Sequence, residues 1–426
     1  MNVFKFGGAS VKNADGVRNV AHILNKYPHH HLLVVVSAMD KTTNALEAVV
    51  NAYYQQTGNA PQLLNEVKQF HENIMRDLFP AQHEIFDLVN DIFVEIDWVI
   101  EDSPSEKYDY LYDQIVSIGE LVSSRILSAF LQTQAIPNTW FDIRNALLTD
   151  NTYRDANIQW TETQQRMKQQ LTPLLQNQIV VTQGFIGCTS ENFTTTLGRE
   201  GSDYTAAICS YCLDAHAMTI WKDVPGVLTA DPKLFKNATK IDHLSFAEAI
   251  EMTYYGAKVI HPKTIKPIQN KNIPLRVKSF LQPQADGTLI SADTHTHYPP
   301  VVVVEPNQAL LHISTRDFSF VAEDHLSSIF TLFAKHRIKV NLMQNTAISF
   351  SVCINYNPDR VQNLLNDLQK QFNTTINHPL ELITIRHHDE LLVQRLKTGK
   401  RLLLEQRLPN TLQMVVSDLP DLERIA

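Results

Sequence analysis

Val3-Phe4-Lys5-Phe6-Gly7-Gly8-Ala9-Ser10 is a short apolar run that ends beside a lysine and breaks on a double glycine. Such a run reads as a strand, the glycines as a tight turn, and the following residues as a helix starting near Asp15, which together make a βα unit. A turn of this kind points backbone N–H groups at an anion, and a lysine at the strand end adds its charge. The segment is neither a Walker A loop nor a G-x-G-x-x-G loop. Leu32 to Ser37, Ile179 to Thr182, Ala217 to Trp221 and Pro274 to Lys278 have the same apolar character. Continuous apolar strands are those covered on both faces, so the first 300 residues are expected to form an α/β fold with a mostly parallel sheet. Between Asn44 and Phe130 the spacing of Leu63, Val67, Phe70 and Ile74 predicts a helical block, placed to form a lid or a substrate wall.

The chain has 426 residues, 44% hydrophobic and 19% charged, which provides for a sizeable core and excludes a disordered chain. Length suggests two or three domains. With 37 basic and 45 acidic residues the net charge is −8, so no general attraction to nucleic acid or anionic lipid is expected. No run reaches the roughly 18 apolar residues of a membrane span. The start lacks a signal-peptide pattern, and the expectation is a cytoplasmic chain. Four cysteines make no disulfide framework, and Cys209 and Cys212 read as buried helical thiols. The histidine tracts (His29 to His31, His295 with His297, His387 with His388) lack the spacing of a metal site, and no metal ligands are assigned.

Glycine is scarce at 13 residues, yet nine of these fall in short turn-like motifs. Glycine is required where a backbone must approach a ligand closely or take a positive φ. One such motif, Thr194 to Ala207, is a polar loop running into an apolar helix, with Ser202 or Asp203 expected to cap that helix. Arg199 in the loop offers a planar fork suited to a carboxylate. A second, Trp221 to Lys233, leaves a strand through Pro225-Gly226 and carries Lys222, Asp223, Asp231 and Lys233, beyond a strand end where α/β sheets bind ligands. A third places Lys258 just after a helix end at Gly256, within reach of a phosphate.

The pattern breaks at Asp293 to Pro300, and the domain boundary is placed there: 1–298, then 299–426. Beyond it the order is strand (Ala309 to Ser314), helix (Asp324 to His336), two strands (Lys339 to Gln344, Ile348 to Asn355), helix (Pro358 to Gln371) and strand (Leu380 to Arg386). This βαββαβ order covers one face of an antiparallel sheet with two helices. Two short strands, Arg401 to Leu404 and Thr411 to Val416, complete the reading.

In order along the chain, Lys5-Phe6-Gly7-Gly8-Ala9-Ser10, Ser117-Ile118-Gly119-Glu120-Leu121-Val122-Ser123, Thr195 to Tyr204, Asp223 to Pro232 and Gly256 to Pro262 resemble the motifs of the aspartokinases of the amino acid kinase family. The resemblance implies a three-layer αβα amino acid kinase fold with a C-terminal α+β ACT-like region whose second unit is abbreviated. It implies phosphorylation of the L-aspartate side chain by MgATP, with ATP and Mg2+ as cofactors and a homodimer formed through the ACT-like region. By the same resemblance Lys5, Asp203 and Lys258 are the catalytic residues, with Asp203 organising cationic groups. Thr43, Glu120, Arg199 and Ser202 bind substrate, Glu120 holding the ammonium and Arg199 the α-carboxylate. Gly7, Gly8, Ser37, Lys222, Asp223, Leu228, Asp231 and Lys233 contact the nucleotide. The chain departs from the family pattern at Ala9, Glu200, Lys222 and Leu228, and Glu200 takes a glycine position in a loop that needs close backbone approach. These departures motivate an alternative, a catalytically weak kinase-like amino-acid sensor or regulatory subunit.

Overall fold

Leu32–Val36 and Ile179–Gln183 are buried at every position, because both faces of the sheet they belong to are covered. The computed structural model describes residues 1–257, 260–294, 297–317 and 319–419. Lys258 therefore lies outside the described residues. Contacts divide the chain into two compact units. The first comprises Met1–Val227, Lys240–Ile250 and the described part of Lys258–Thr296; the second takes Leu228–Thr239, Glu251–Ala257 and the described part of His297–Ala426.

In the first unit β1 (Asn2–Phe6), β2 (Leu32–Val36), β3 (Asn138–Phe141), β4 (Ile179–Gln183), β7 (Ala217–Lys222), β8 (His243–Ser245), β9 (Leu275–Ser279) and β10 (Thr288–Ser291) form one sheet in the order β3-β4-β2-β1-β7-β9-β10-β8. All neighbours are parallel except β9 and β10. A small hairpin, β5 (Ile186–Cys188) with β6 (Thr194–Thr196), stands apart from it. In register, Phe6 lies beside Val36 and Trp221, so β1, β2 and β7 end level with one another. Trp221 is fully buried and stacks on Phe6 at 5.8 Å, which locks the centre of the sheet directly beneath those ends.

The helices are α1 (Ala14–Leu24), α2 (Thr42–Tyr54), α3 (Ala60–Leu78), α4 (Ile85–Glu101), α5 (Tyr108–Val116), α6 (Ile118–Thr133), α7 (Trp160–Leu175), α8 (Gly201–Cys212), α9 (Phe246–Tyr254) and α10 (Pro262–Asn270). The helical block expected over 44–130 is α2 to α6. Its stretch 108–133 is long and apolar enough to cross a membrane by composition, but 83% of its most apolar part is buried within the molecule, as a core helix pair would be. The helix expected near Asp15 begins at Ala14, after a 3-10 turn, Gly8–Val11, and is capped by Asn13, whose Oδ1 accepts from the Gly16 N–H at 2.9 Å. One local expectation changes. Neither Ser202 nor Asp203 caps α8: the cap position is Glu200, with φ 55° and no side-chain cap, and Ser202 and Asp203 lie inside the first turn.

The second unit holds β11 (Val301–Thr315), α11 (Glu323–Lys335), β12 (Val340–Asn345), β13 (Ser349–Asn355), α12 (Pro358–Leu368), β14 (Phe372–Arg386), α13 (Glu390–Lys397), β15 (Lys400–Leu408) and β16 (Thr411–Asp418). The six strands make one antiparallel sheet, β12-β13-β11-β14-β16-β15. β11 and β14 are twice the expected length and serve both halves of this sheet, with register breaks between Glu305 and Leu310. Helices α11 and α12 cover one half through Ile329, Phe333, Val361 and Leu364, and α13 covers the other through Val393. The helix α13 was absent from the sequence reading, and the two terminal strands are longer than expected.

Candidate active site

A cleft of about 560 Å³ opens in the first unit at the carboxyl ends of β1, β2 and β7. Of the residues expected from sequence, Lys5, Gly8, Ser37, Thr43, Glu120, Arg199, Ser202, Asp203 and Lys222 all line it. Gly7 adjoins it at the foot of the 3-10 turn. Asp223 is exposed one residue past β7, and Leu228, Asp231 and Lys233 belong to the second unit. Asp231 closes a local turn there, its Oδ1 accepting from the Lys233 N–H at 2.9 Å.

One wall is cationic. Lys5 Nζ lies 2.6 Å from Asp203 Oδ1, and Lys222 Nζ lies 3.6 Å from Asp203 Oδ2. Burial alone would raise the Asp203 carboxyl, but the two ammonium groups outweigh it and hold the group below its ordinary range. Asp203 thus stays ionised and fixes both lysines beside the first turn of α8, whose N-terminal end faces the cleft. Gly8 is needed here because a Cβ at this position would come within 2.7 Å of Ala38 O. Gly184 is needed for a similar reason, as its Cβ would meet the Ser202 Cβ at 2.4 Å.

The other wall is formed by the start of α2, α5 and α6. Glu120, in the first turn of α6, is 2% exposed; its Oε1 accepts from the Ala38 N–H at 3.4 Å, and its Oε2 has no hydrogen-bond partner among the described residues. Burial pushes this carboxyl up to about 8, against the smaller pull of the Ala38 N–H and the Lys5 charge. A buried acceptor without a donor is costly unless a ligand supplies one. Arg199 is exposed on the loop before α8, beside Glu200, whose Oε2 is buried and likewise without a hydrogen-bond partner among the described residues.

Sequence reasoning missed Asp40, Asn44, Tyr112, Arg154 and Phe185 in the lining. Asp40, Arg154, Phe185 and Glu200 all take a positive φ, at 48°, 69°, 70° and 55°. Nothing in a polar run such as Thr149 to Asp155 marks one residue for a left-handed conformation, since glycine is the only strong signal for it.

A cleft with paired cations beside a glycine turn, facing a buried carboxylate, suits an anionic group at one end and an amine at the other. Residues 1–279 match the model of the amino acid kinase family. The chain belongs to the amino acid kinase family. Within that family it stands among the aspartokinases. It is 34% identical over 358 residues to lysine-sensitive aspartokinase 3 of Escherichia coli (strain K12), covering 83% of this chain and 78% of the relative. It is 33% identical over 298 residues to a bifunctional aspartokinase/homoserine dehydrogenase of Zea mays, of which it spans 32%. The solved structure of E. coli aspartokinase III in complex with aspartate and ADP superposes with a TM-score of 0.82 at 29% identity, over 98% of this chain and 96% of that one.

Proposed function

We propose that this amino acid kinase transfers the γ-phosphoryl group of MgATP to the side-chain carboxylate of L-aspartate, giving 4-phospho-L-aspartate and ADP, the entry step to lysine, threonine and methionine synthesis. The observation that carries the reading is the cleft itself: Lys5 and Lys222 fixed by Asp203, together with the Oε2 of Glu120, which has no hydrogen-bond partner among the described residues. The aspartokinase relatives support the same substrate. A side-chain carboxylate with a pKa of about 4 is ionised at neutral pH, so its oxygen attacks the γ-phosphorus without a general base while the bond to the β-phosphate oxygen breaks. Catalysis then rests on alignment and on neutralising phosphate charge.

Lys5 and the Gly7-Gly8 turn serve the transferred phosphoryl group, with Lys258 as a third phosphate contact. Ser37, Lys222 and Asp223 belong to the nucleotide side, as do Leu228, Asp231 and Lys233. Thr43, Arg199 and Ser202 hold the amino acid, with Glu120 on its ammonium. Mg2+ arrives with the nucleotide. Asp203 is already engaged by two lysines, which favours an ion held chiefly by phosphate oxygens and water. We assign 1–298 to catalysis and 299–426 to an ACT-like homodimerising region, in a cytoplasmic protein with no nucleic-acid or membrane partner.

The test is hydroxylamine trapping of the acyl phosphate from purified protein, MgATP and L-aspartate. Aspartate-dependent hydroxamate should appear and fall by at least about 100-fold in Lys5→Ala, the scale of losing one charge-stabilising group. A rate equal to that of Lys5→Ala would exclude the kinase reading and leave the regulatory-subunit alternative.

A further inference from the structure

Arg154 enters the cleft from the loop before α7 in a conformation that an L-residue adopts only at a cost, with φ 69°. Its backbone is held there from outside the loop: the Arg154 N–H donates to the buried Asp113 carboxylate at 3.1 and 3.2 Å. Its guanidinium lies over the Tyr112 ring at 4.3 Å and near Tyr108 at 5.4 Å. Its ionic partners are weak, Glu47 at 3.4 Å and Asp109 at 3.5 Å, both solvent-accessible. Lys5 and Lys222, by contrast, are matched to a buried carboxylate. Arg154 is therefore a planar fork pre-oriented by two aromatic rings and shared between two solvent-accessible carboxylates, and it lines the cleft with Tyr112 and Glu120.

We infer that Arg154 binds the α-carboxylate of the amino-acid substrate, acting with Arg199 as a second cation and setting specificity. The inference rests on the aspartate kinase reading and deepens it. Glu120 and Arg154 both line the cleft and both act on Tyr112, so an ammonium on Glu120 puts the neighbouring carboxylate of the same ligand towards Arg154. Aromatic faces fix the fork before the substrate arrives, which lowers the ordering cost of binding.

The experiment compares the unaltered protein with R154G, which keeps the positive φ available, and R154K, using thermal melting to show that each is folded. Calorimetry gives Kd for L-aspartate and for its α-amide, and the hydroxamate assay gives KM and kcat. R154G should bind L-aspartate at least fivefold more weakly, with the α-amide Kd and the MgATP KM within twofold, and R154K should recover part of the loss. A smaller change, equal weakening of both amino-acid ligands, or a shift in the MgATP KM instead would overturn the inference. Because Kd is read without turnover, an inactive protein that still loses aspartate affinity in R154G would refute the kinase reading and leave this one standing. No aspartate binding by the unaltered protein would refute both.

Discussion

Glu120 carries the clearest consequence at the scale of a single residue. Burial holds its carboxyl near 8, so the protonated form predominates at neutral pH in the free protein. An ammonium ligand needs the ionised form. The KM for aspartate should therefore fall by about tenfold as pH rises from 6 to 7, and less steeply as it approaches 8. Binding near pH 7 should release a proton, seen as a buffer-dependent calorimetric heat. In Glu120→Gln that pH dependence should vanish; its persistence would locate the titrating group elsewhere. The sign for folding is the reverse: a raised carboxyl binds more protons folded than unfolded, so the Glu120 contribution to stability falls as pH rises from about 4.5 to 8. At Glu200 the backbone is left-handed at φ 55°, which costs an L-residue roughly 1 kcal/mol. Glu200→Gly should raise unfolding stability by about that amount in urea titration. Its effect on kcat/KM should stay under about tenfold, or 1.4 kcal/mol, and a larger gain would mean that the native loop impairs the site.

Among elements, Asp113 on α5 is the tie. Its carboxylate accepts from the Thr196 N–H at 2.8 Å, the Thr196 hydroxyl at 2.7 Å and the Arg154 N–H, joining α5 to β6 and to the loop before α7. Burial pushes it up to about 6, and the donors pull against that shift. Asp113→Ala would strand these buried donors and should cost about 2–4 kcal/mol by chemical denaturation. Asp113→Asn, which keeps one acceptor, should cost less than half of that. The elements were legible where a strong period or a glycine marked them, as in β1, β2, β4, α3 and α8. The missed helix α13 has a cap signal, Asp389, whose Oδ1 accepts from the Leu392 N–H at 2.8 Å, with Arg395 and Lys397 in its last turn. It is only eight residues long and buries Val393 alone, so its apolar period is too brief to stand out. β11 and β14 were read at half length because each serves two halves of a sheet. Their polar middles, including Glu305 to Gln308, look like loops in sequence.

For the whole molecule, the sheet of the second unit ends in β12 and β15, each with one edge unpaired among the described residues. Its residues Leu310, Cys353, Leu382 and Val415 form a strand-only cluster on the face away from α11, α12 and α13. Edges of this kind are managed by pairing or cover, and a homodimer through this unit would provide it. Sedimentation equilibrium should give twice the 48.5 kDa chain mass, and a concentration-independent monomer would reject that assembly.

By itself the sequence determined the parallel sheet, the glycine turn with Lys5, and the loop with Arg199 that runs into an apolar helix, because apolar runs and glycines are local signals of local backbone geometry. It did not show that Asp203 would hold two lysines, that Glu120 would be buried, or that Arg154 would stand in the cleft. Those depend on strands 200 residues apart ending level and on burial, which changes what a charge costs. Only the tertiary structure decides which side chains share a dry wall, and with it which carboxyls stay ionised.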